Sequence, residues 1–233
     1  MCEETDTNSM KRFLAIVFFG IAFGYIEAAV VVYLRAIFYP DGFVFPITNF
    51  GDMPGAMRFL LTETGREVAT LVVIFAACYL LGRNRRRRLA YFMIIFATWD
   101  VFYYLWLKLL LNWPVSIMDW DVLFLIPVAW AGPVLAPILT SAIMLVIAVI
   151  LLSGQPIKVS KYAEWALAFC VVMIAACFCV AGLKIDEPVY RFYFSWEIFL
   201  ILHASVLYLF LRCLRKGRFE QNGSDIEKSE KAN

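Results

Sequence analysis

Charge is scarce in this sequence: Asp, Glu, Lys and Arg make up 17% of its 233 residues, against about 25% in soluble domains. Histidine is scarcer still, His203 being the only one. A single histidine excludes bis-histidine haem ligation and two-histidine metal sites within the chain. The six cysteines include no Cys-x-x-Cys. Cys2 and Cys213 flank apolar runs, whereas Cys78, Cys170, Cys177 and Cys179 lie within them and read as small, polarizable packing residues. Cys177 and Cys179 would point to different faces of a helix and make no metal clip. P-loop, Gly-x-Ser-x-Gly and His-Glu-x-x-His patterns are also missing. A net charge of +2 is too small for a nucleic-acid binder. The sequence therefore predicts no metal, no cofactor and no nucleic-acid partner.

What is abundant is apolar surface. Hydrophobic residues make up 63% of the chain, aromatic ones 17%, and the mean hydropathy is +0.76. A membrane-spanning helix needs roughly 20 apolar residues, and six stretches qualify: about 13–36, 67–82, 89–111, 122–152, 162–183 and 193–213. The expected fold is all-α, a polytopic six-transmembrane-helix bundle over residues 1–216, because backbone groups in hydrocarbon must be paired within the span. The first residues, MCEETDTNSMKR, are acidic and polar, and the apolar run that follows exceeds a signal-peptide core, so it reads as a first span that stays in place. Residues 217–233 are polar and of mixed charge, which predicts a disordered cytoplasmic tail. The segment 37–66 reads as a loop with turns at PDG and MPG and a short interfacial helix starting at Pro54.

Lys and Arg positions set the expected orientation. With both termini cytoplasmic, 15 of the 21 basic residues fall inside, including Lys11, Arg12, Arg83, Arg85–Arg88, Lys158, Lys161 and the cluster at 212–218. That bias is the positive-inside pattern. Together with the compact loops and the lack of an Asn-x-Ser/Thr acceptor on the outer side, it points to a multi-pass protein of a prokaryotic cytoplasmic (inner) membrane. The fourth span is unusual. It reads DVLFLIPVAWAGPVLAPIL, with Pro127, Pro133 and Pro137, so a helix broken near 127–133 is expected.

Ionisable residues inside hydrocarbon cost several kcal/mol by most estimates and mark function by default. Counting about 1.5 Å per residue from the span ends puts Asp100 and His203 near the midplane, Glu27 and Glu197 in the outer half, and Lys108, Arg66, Glu67 and Asp121 near the outer boundary. Asp100, Tyr104 and Lys108 repeat at every fourth residue and form one stripe, with Trp99 beside it. Lys108 is expected to reach Glu27 or Glu197. Glu27 lies next to Gly20, Gly24 and Ala28, a small-residue stripe for close helix contact. The candidate ligand-binding set is thus Glu27, Trp99, Asp100, Tyr104, Lys108, Glu197 and His203, with Arg66, Glu67, Asp121 and Trp130 as secondary members. Plainer readings compete for some of these: Thr64-Gly65-Arg66-Glu67 fits a helix-start capping box, Asp119 and Asp121 fit caps of the fourth helix, Arg35 and Lys108 suit snorkelling, and Trp113 and Trp120 suit an interfacial belt.

The polar layer is one-sided, which predicts an outward-opening acidic and aromatic pocket. Three uses follow: binding or transporting a small polar, cationic or amphipathic ligand; carboxylate acid–base catalysis on a lipid or isoprenoid; or a non-catalytic subunit or assembly factor of a membrane complex, its buried charges tying helices together. Besides the lipid bilayer, the expected partners are a small-molecule or lipid-like ligand and, in the third case, another membrane protein.

Overall fold

The computed structural model describes residues 2–40, 42, 43, 45 and 56–232, with side chains described for 10–40, 42, 43, 45 and 57–222. Among the described residues are six long helices, α1 (Cys2–Phe38), α2 (Ala56–Leu81), α3 (Arg85–Leu111), α4 (Leu135–Leu152), α5 (Lys161–Gly182) and α6 (Trp196–Ala232). Each carries a stretch long and apolar enough to cross a membrane. Even α4, with 18 residues, is about 27 Å long. The helix ends follow local chemistry. Asn84 caps α3 by accepting from Arg87 N, and Ser160 caps α5 by accepting from Ala163 N. Asn112, at φ 53°, closes α3 in the left-handed conformation that asparagine tolerates.

Three expectations are corrected. The fourth span does not begin at 122: residues 120–133 form an antiparallel two-stranded ribbon, β1 (Trp120–Phe124) and β2 (Trp130–Pro133), and α4 starts only at Leu135. Pro127, Gly132 and Pro133 lie too close together for a helix, while the cross-strand ladder pairs Asp121 with Gly132 and Val122 with Ala131. Pro137 falls in the first turn of α4, where no backbone donor is needed. The second helix begins at Ala56 rather than 67. Thr62 and Thr64 donate their hydroxyls to Arg58 O and Leu60 O, so Thr64 lies inside the helix and caps nothing. Pro54 and the MPG turn lie outside the described residues. Finally, α6 continues through most of 217–233, where disorder was expected. Its extension docks on the 155–158 segment: Gly217 meets Pro156, Lys158 N donates to Cys213 O at 3.1 Å, and Lys158 pairs with Glu220 at 2.5 Å.

α3 is the hub of the bundle, packed along α1, α2 and α4. Its contact with α1 is close because α1 presents glycines there. A Cβ on Gly24 would lie 2.9 Å from Trp99 O, and one on Gly20 2.8 Å from Thr98 Cβ. α5 packs instead on α6 and on β2, with the Gly182 Cα against Ala129 O of the ribbon turn. Two apolar cores result. One, around Ile16, Ile74, Ile94 and Phe210, lies toward the end rich in Lys and Arg (the basic end). The other, around Trp120, Phe178, Phe194 and Phe199, lies at the ribbon end. Trp120 is therefore buried against Tyr190 and Phe194, with no place in a surface belt.

Candidate functional site

Between these cores, all six helices and the ribbon contribute to the wall of a cavity of about 550 Å³. Of the residues singled out in the sequence, the cavity wall brings together Glu27, Trp99, Asp100, Tyr104, His203, Arg66, Glu67 and Trp130. It leaves out Lys108, Glu197 and Asp121. Lys108, in the last turn of α3, is exposed and donates to Asn112 O at 3.4 Å and Pro114 O at 2.9 Å. The free carbonyls at its own helix end are nearer than any carboxylate across the bundle. Glu197 is exposed in the first turn of α6, where its partner is Ser195 Oγ at 3.1 Å. The expected bond from Lys108 to Glu27 or Glu197 is not made.

The cation that Glu27 finds is Arg66. The α2 register places Glu63, Arg66, Glu67 and Thr70 along one side of the helix, at steps of three or four residues. Arg66 bonds Glu27 through one nitrogen and Glu63 through Nε at 2.8 Å, and Thr70 Oγ1 donates to the second Glu27 oxygen at 2.8 Å. Glu67 accepts the Leu125 N–H at 2.8 Å, pinning the ribbon to α2. Glu63 was missed in the sequence because α2 was started too late; drawn from 56, the helix puts it one turn before Arg66 and Glu67. Thr70 lay within the expected span and was passed over because it is uncharged.

Deeper in, Asp100 accepts from Ser141 Oγ at 2.8 Å. The neighbouring Thr140 hydroxyl meets His203 Nε2 at 3.0 Å, while His203 Nδ1 lies 2.8 Å from Phe199 O. A carbonyl only accepts, so Nδ1 carries a proton; Nε2 lies against the Thr140 hydroxyl, which also donates to Ala136 O at 3.1 Å. Two adjacent residues of α4 thus hold the acid of α3 and the imidazole of α6. Trp99 packs edge-on to Phe96 and Phe124, and Trp130 stacks on Phe178 with ring centroids 6.2 Å apart. The indole nitrogens of Trp99 and Trp130 and the Tyr104 hydroxyl are buried with no hydrogen-bond partner among the described residues. Among those residues, too, no three carboxyl, imidazole or thiol groups converge to cage a metal ion.

A second cavity, of about 330 Å³, lies at the ribbon end and shares Arg66, Glu67 and Tyr103 with the first. Asp121 lines this one. It pairs with Arg35 at 3.2 Å and accepts from Tyr103 Oη at 3.4 Å. Burial pushes the Asp121 carboxyl above its usual range, and the Arg35 guanidinium pulls it back. Arg35 itself is sandwiched between Phe43 and Trp113, 4.2 and 3.8 Å from their centroids. It is buried in this pairing, where snorkelling had been expected.

The ribbon residues Val122, Leu123, Phe124 and Trp130 form part of the cavity wall at the end where the sequence placed its mouth. The chain matches no protein-family model, no curated protein and no solved structure.

Proposed function

We propose that this protein is an integral membrane protein that binds an amphipathic small molecule within its bundle, with the polar end against Asp100 and Glu67. The observation that carries this reading is an imbalance. Among the described residues, Glu27, Glu63 and Asp121 each have a guanidinium partner, whereas Asp100 and Glu67 each accept one hydrogen bond and form no ion pair. A carboxylate has about four acceptor sites, and leaving them empty at membrane depth is costly. An ammonium or hydroxyl group would fill them. Aromatic faces nearby, of Trp99 and Phe96 above all, suit a cation. The rest of the wall, including Phe92, Ile143, Met144 and Ile174, is apolar and would take a hydrocarbon body. A volume of about 550 Å³ is in the range that encloses one small organic ligand. The basic residues gathered at one end support a cytoplasmic location for that end and for both termini, as in a prokaryotic inner membrane.

The test is a binding series on the protein in nanodiscs, read by native mass spectrometry with dodecylamine, dodecanol and dodecanoate. Dodecylamine should bind at least about tenfold more tightly than dodecanoate, a difference of about 1.4 kcal/mol. Asp100→Asn and Glu67→Gln should each erode that preference. Equal affinity for amine and carboxylate, unchanged by either substitution, would refute the proposal.

A further inference from the structure

The exposure of the cavity wall indicates how a ligand gets in. Every polar residue of that wall is buried or half-buried, and the ribbon, held by the Glu67–Leu125 bond, packs at the polar end. Two wall residues are exposed, Leu89 at 47% and Val171 at 60%. Both are apolar, and both lie within membrane-spanning helices. α5 packs on α6 and the ribbon, and no comparable contact joins it to α2 or α3. α2 contributes to the wall only near the ribbon end, through Arg66, Glu67 and Thr70. Toward the basic end the wall is made by Leu89, Phe92 and Met93 of α3 rather than by α2.

We infer that the cavity is loaded sideways from the bilayer, through the gap between Leu89 of α3 and Val171 of α5, and that its ligand is a membrane-resident, long-chain amphiphile rather than a water-soluble solute. This rests on the polar-end assignment proposed above and adds the tail and the route. The cavity wall, wholly apolar up to Phe96, runs along α3 from Leu89 to Tyr104, fifteen steps, or about 22 Å. That is most of the roughly 30 Å hydrocarbon thickness. A short-chain solute would leave most of this apolar wall unfilled, whereas a single long chain fills it. The polar end enters first. It reaches Asp100 and Glu67 while its tail still points through the gap toward lipid.

The experiment follows uptake over time by native mass spectrometry of the full chain in nanodiscs, with octadecylamine, octadecanol or octadecanoate in the bilayer or butylamine in the water. Leu89→Phe and Val171→Phe, each at an exposed position, narrow the gap without touching the polar end. Octadecylamine and octadecanol should load about tenfold more slowly in either variant, and butylamine should give no measurable occupancy. If both chain compounds load as fast in both variants as in the parent, the sideways route is wrong even though the polar-end reading survives. If octadecanol is slowed but octadecylamine binds no better than octadecanoate, the route stands and the polar-end reading falls. Uptake of butylamine to the same occupancy as octadecylamine would overturn the long-chain assignment.

Discussion

Arg66 is the one cation between two buried carboxylates, and its removal is the sharpest test of the bundle's electrostatics. Glu27 and Glu63 are each 7% exposed, and the Arg66 side chain is 25% exposed. In Arg66→Ala, Glu27 keeps only the Thr70 hydroxyl and Glu63 loses its side-chain partner. Breaking a buried pair by removing one member costs about 3–5 kcal/mol, because the remaining charge stays desolvated. Arg66 is partly hydrated, so the low end applies, about 3 kcal/mol. For a chain of this size that corresponds to a drop of about 9 °C in Tm. Two remaining charges also make the loss correctable. Glu27→Gln alone leaves Arg66 bonded to Glu63 and should cost about 1 kcal/mol. Placed in the Arg66→Ala background it should be neutral or stabilising, since an amide needs no counter-charge. The double-mutant cycle, measured by equilibrium unfolding in mixed micelles, should give a coupling of at least about 1 kcal/mol. An Arg66→Ala cost within about 0.5 kcal/mol of the parent, the range of ordinary surface substitutions, would refute the claim that the pair is buried and tight.

Three further outcomes are expected. Gly24→Ala should lower stability by about 1–3 kcal/mol, because its methyl would press on the Trp99 backbone of α3; Gly65→Ala, in open space on α2, should raise it by up to about 1 kcal/mol. Thermal unfolding of the two variants side by side checks the α1–α3 contact, which is wrong if Gly24→Ala is silent. Glu67→Ala should cost about 1–3 kcal/mol by stranding the Leu125 N–H, and Glu67→Gln, which keeps an acceptor, should recover most of it; faster amide exchange at Leu125 in the alanine variant alone would locate the effect. Outside the spans, hydrogen bonds from Lys184 and Tyr193 hold the Glu187 carboxyl below the usual glutamate range. A depressed pKa means that its contribution is present above the unfolded-state value and is lost as pH falls through the folded one. Carboxyl NMR should therefore show Glu187 still ionised where other exposed glutamates have protonated, and Lys184→Met should move its titration upward.

The six spans were legible because length and hydropathy are local properties, and a run of about 20 apolar residues has few other fates. That α1 makes a close helix contact was legible for a similar reason, since Gly20 and Gly24 announce it through their spacing, although its partner α3 was not. The ribbon was not. Its strands are apolar on both faces, because one packs on α5 and the other on the cavity, so no alternation separates them from a span. Pro127 and Pro133 signalled a break, but whether a broken helix or a hairpin follows depends on partners in α2 and α5 that sequence distance hides. The pairing of charges failed in the same way. Lys108 had a stripe in common with Asp100, yet a flexible cation at a helix end is satisfied by its own terminal carbonyls first. The helical extension of the tail depends on the 155–158 segment beneath it, which composition alone does not register.

A β-ribbon packed into one end of the bundle explains much of the polar chemistry around it, and thereby narrows what remains to be explained by a ligand. Irregular backbone in hydrocarbon survives only where protein satisfies it. Glu67 does so for Leu125, and Asp121 anchors β1 to Arg35 of α1 and Tyr103 of α3. These acids hold the ribbon in place whatever lies beneath it. Glu27 is likewise accounted for, as the counter-charge that fixes α2 against α1. Asp100 is different. Its hydrogen bond comes from one serine hydroxyl on α4, no backbone group depends on it, and α3 is already held by close packing against α1 and α4. A carboxyl that the fold does not need, set at membrane depth beside two unpartnered indole nitrogens, is the part of this cavity for which stability offers no reason. The functional reading therefore rests more heavily on Asp100 than on any of the acids that surround it.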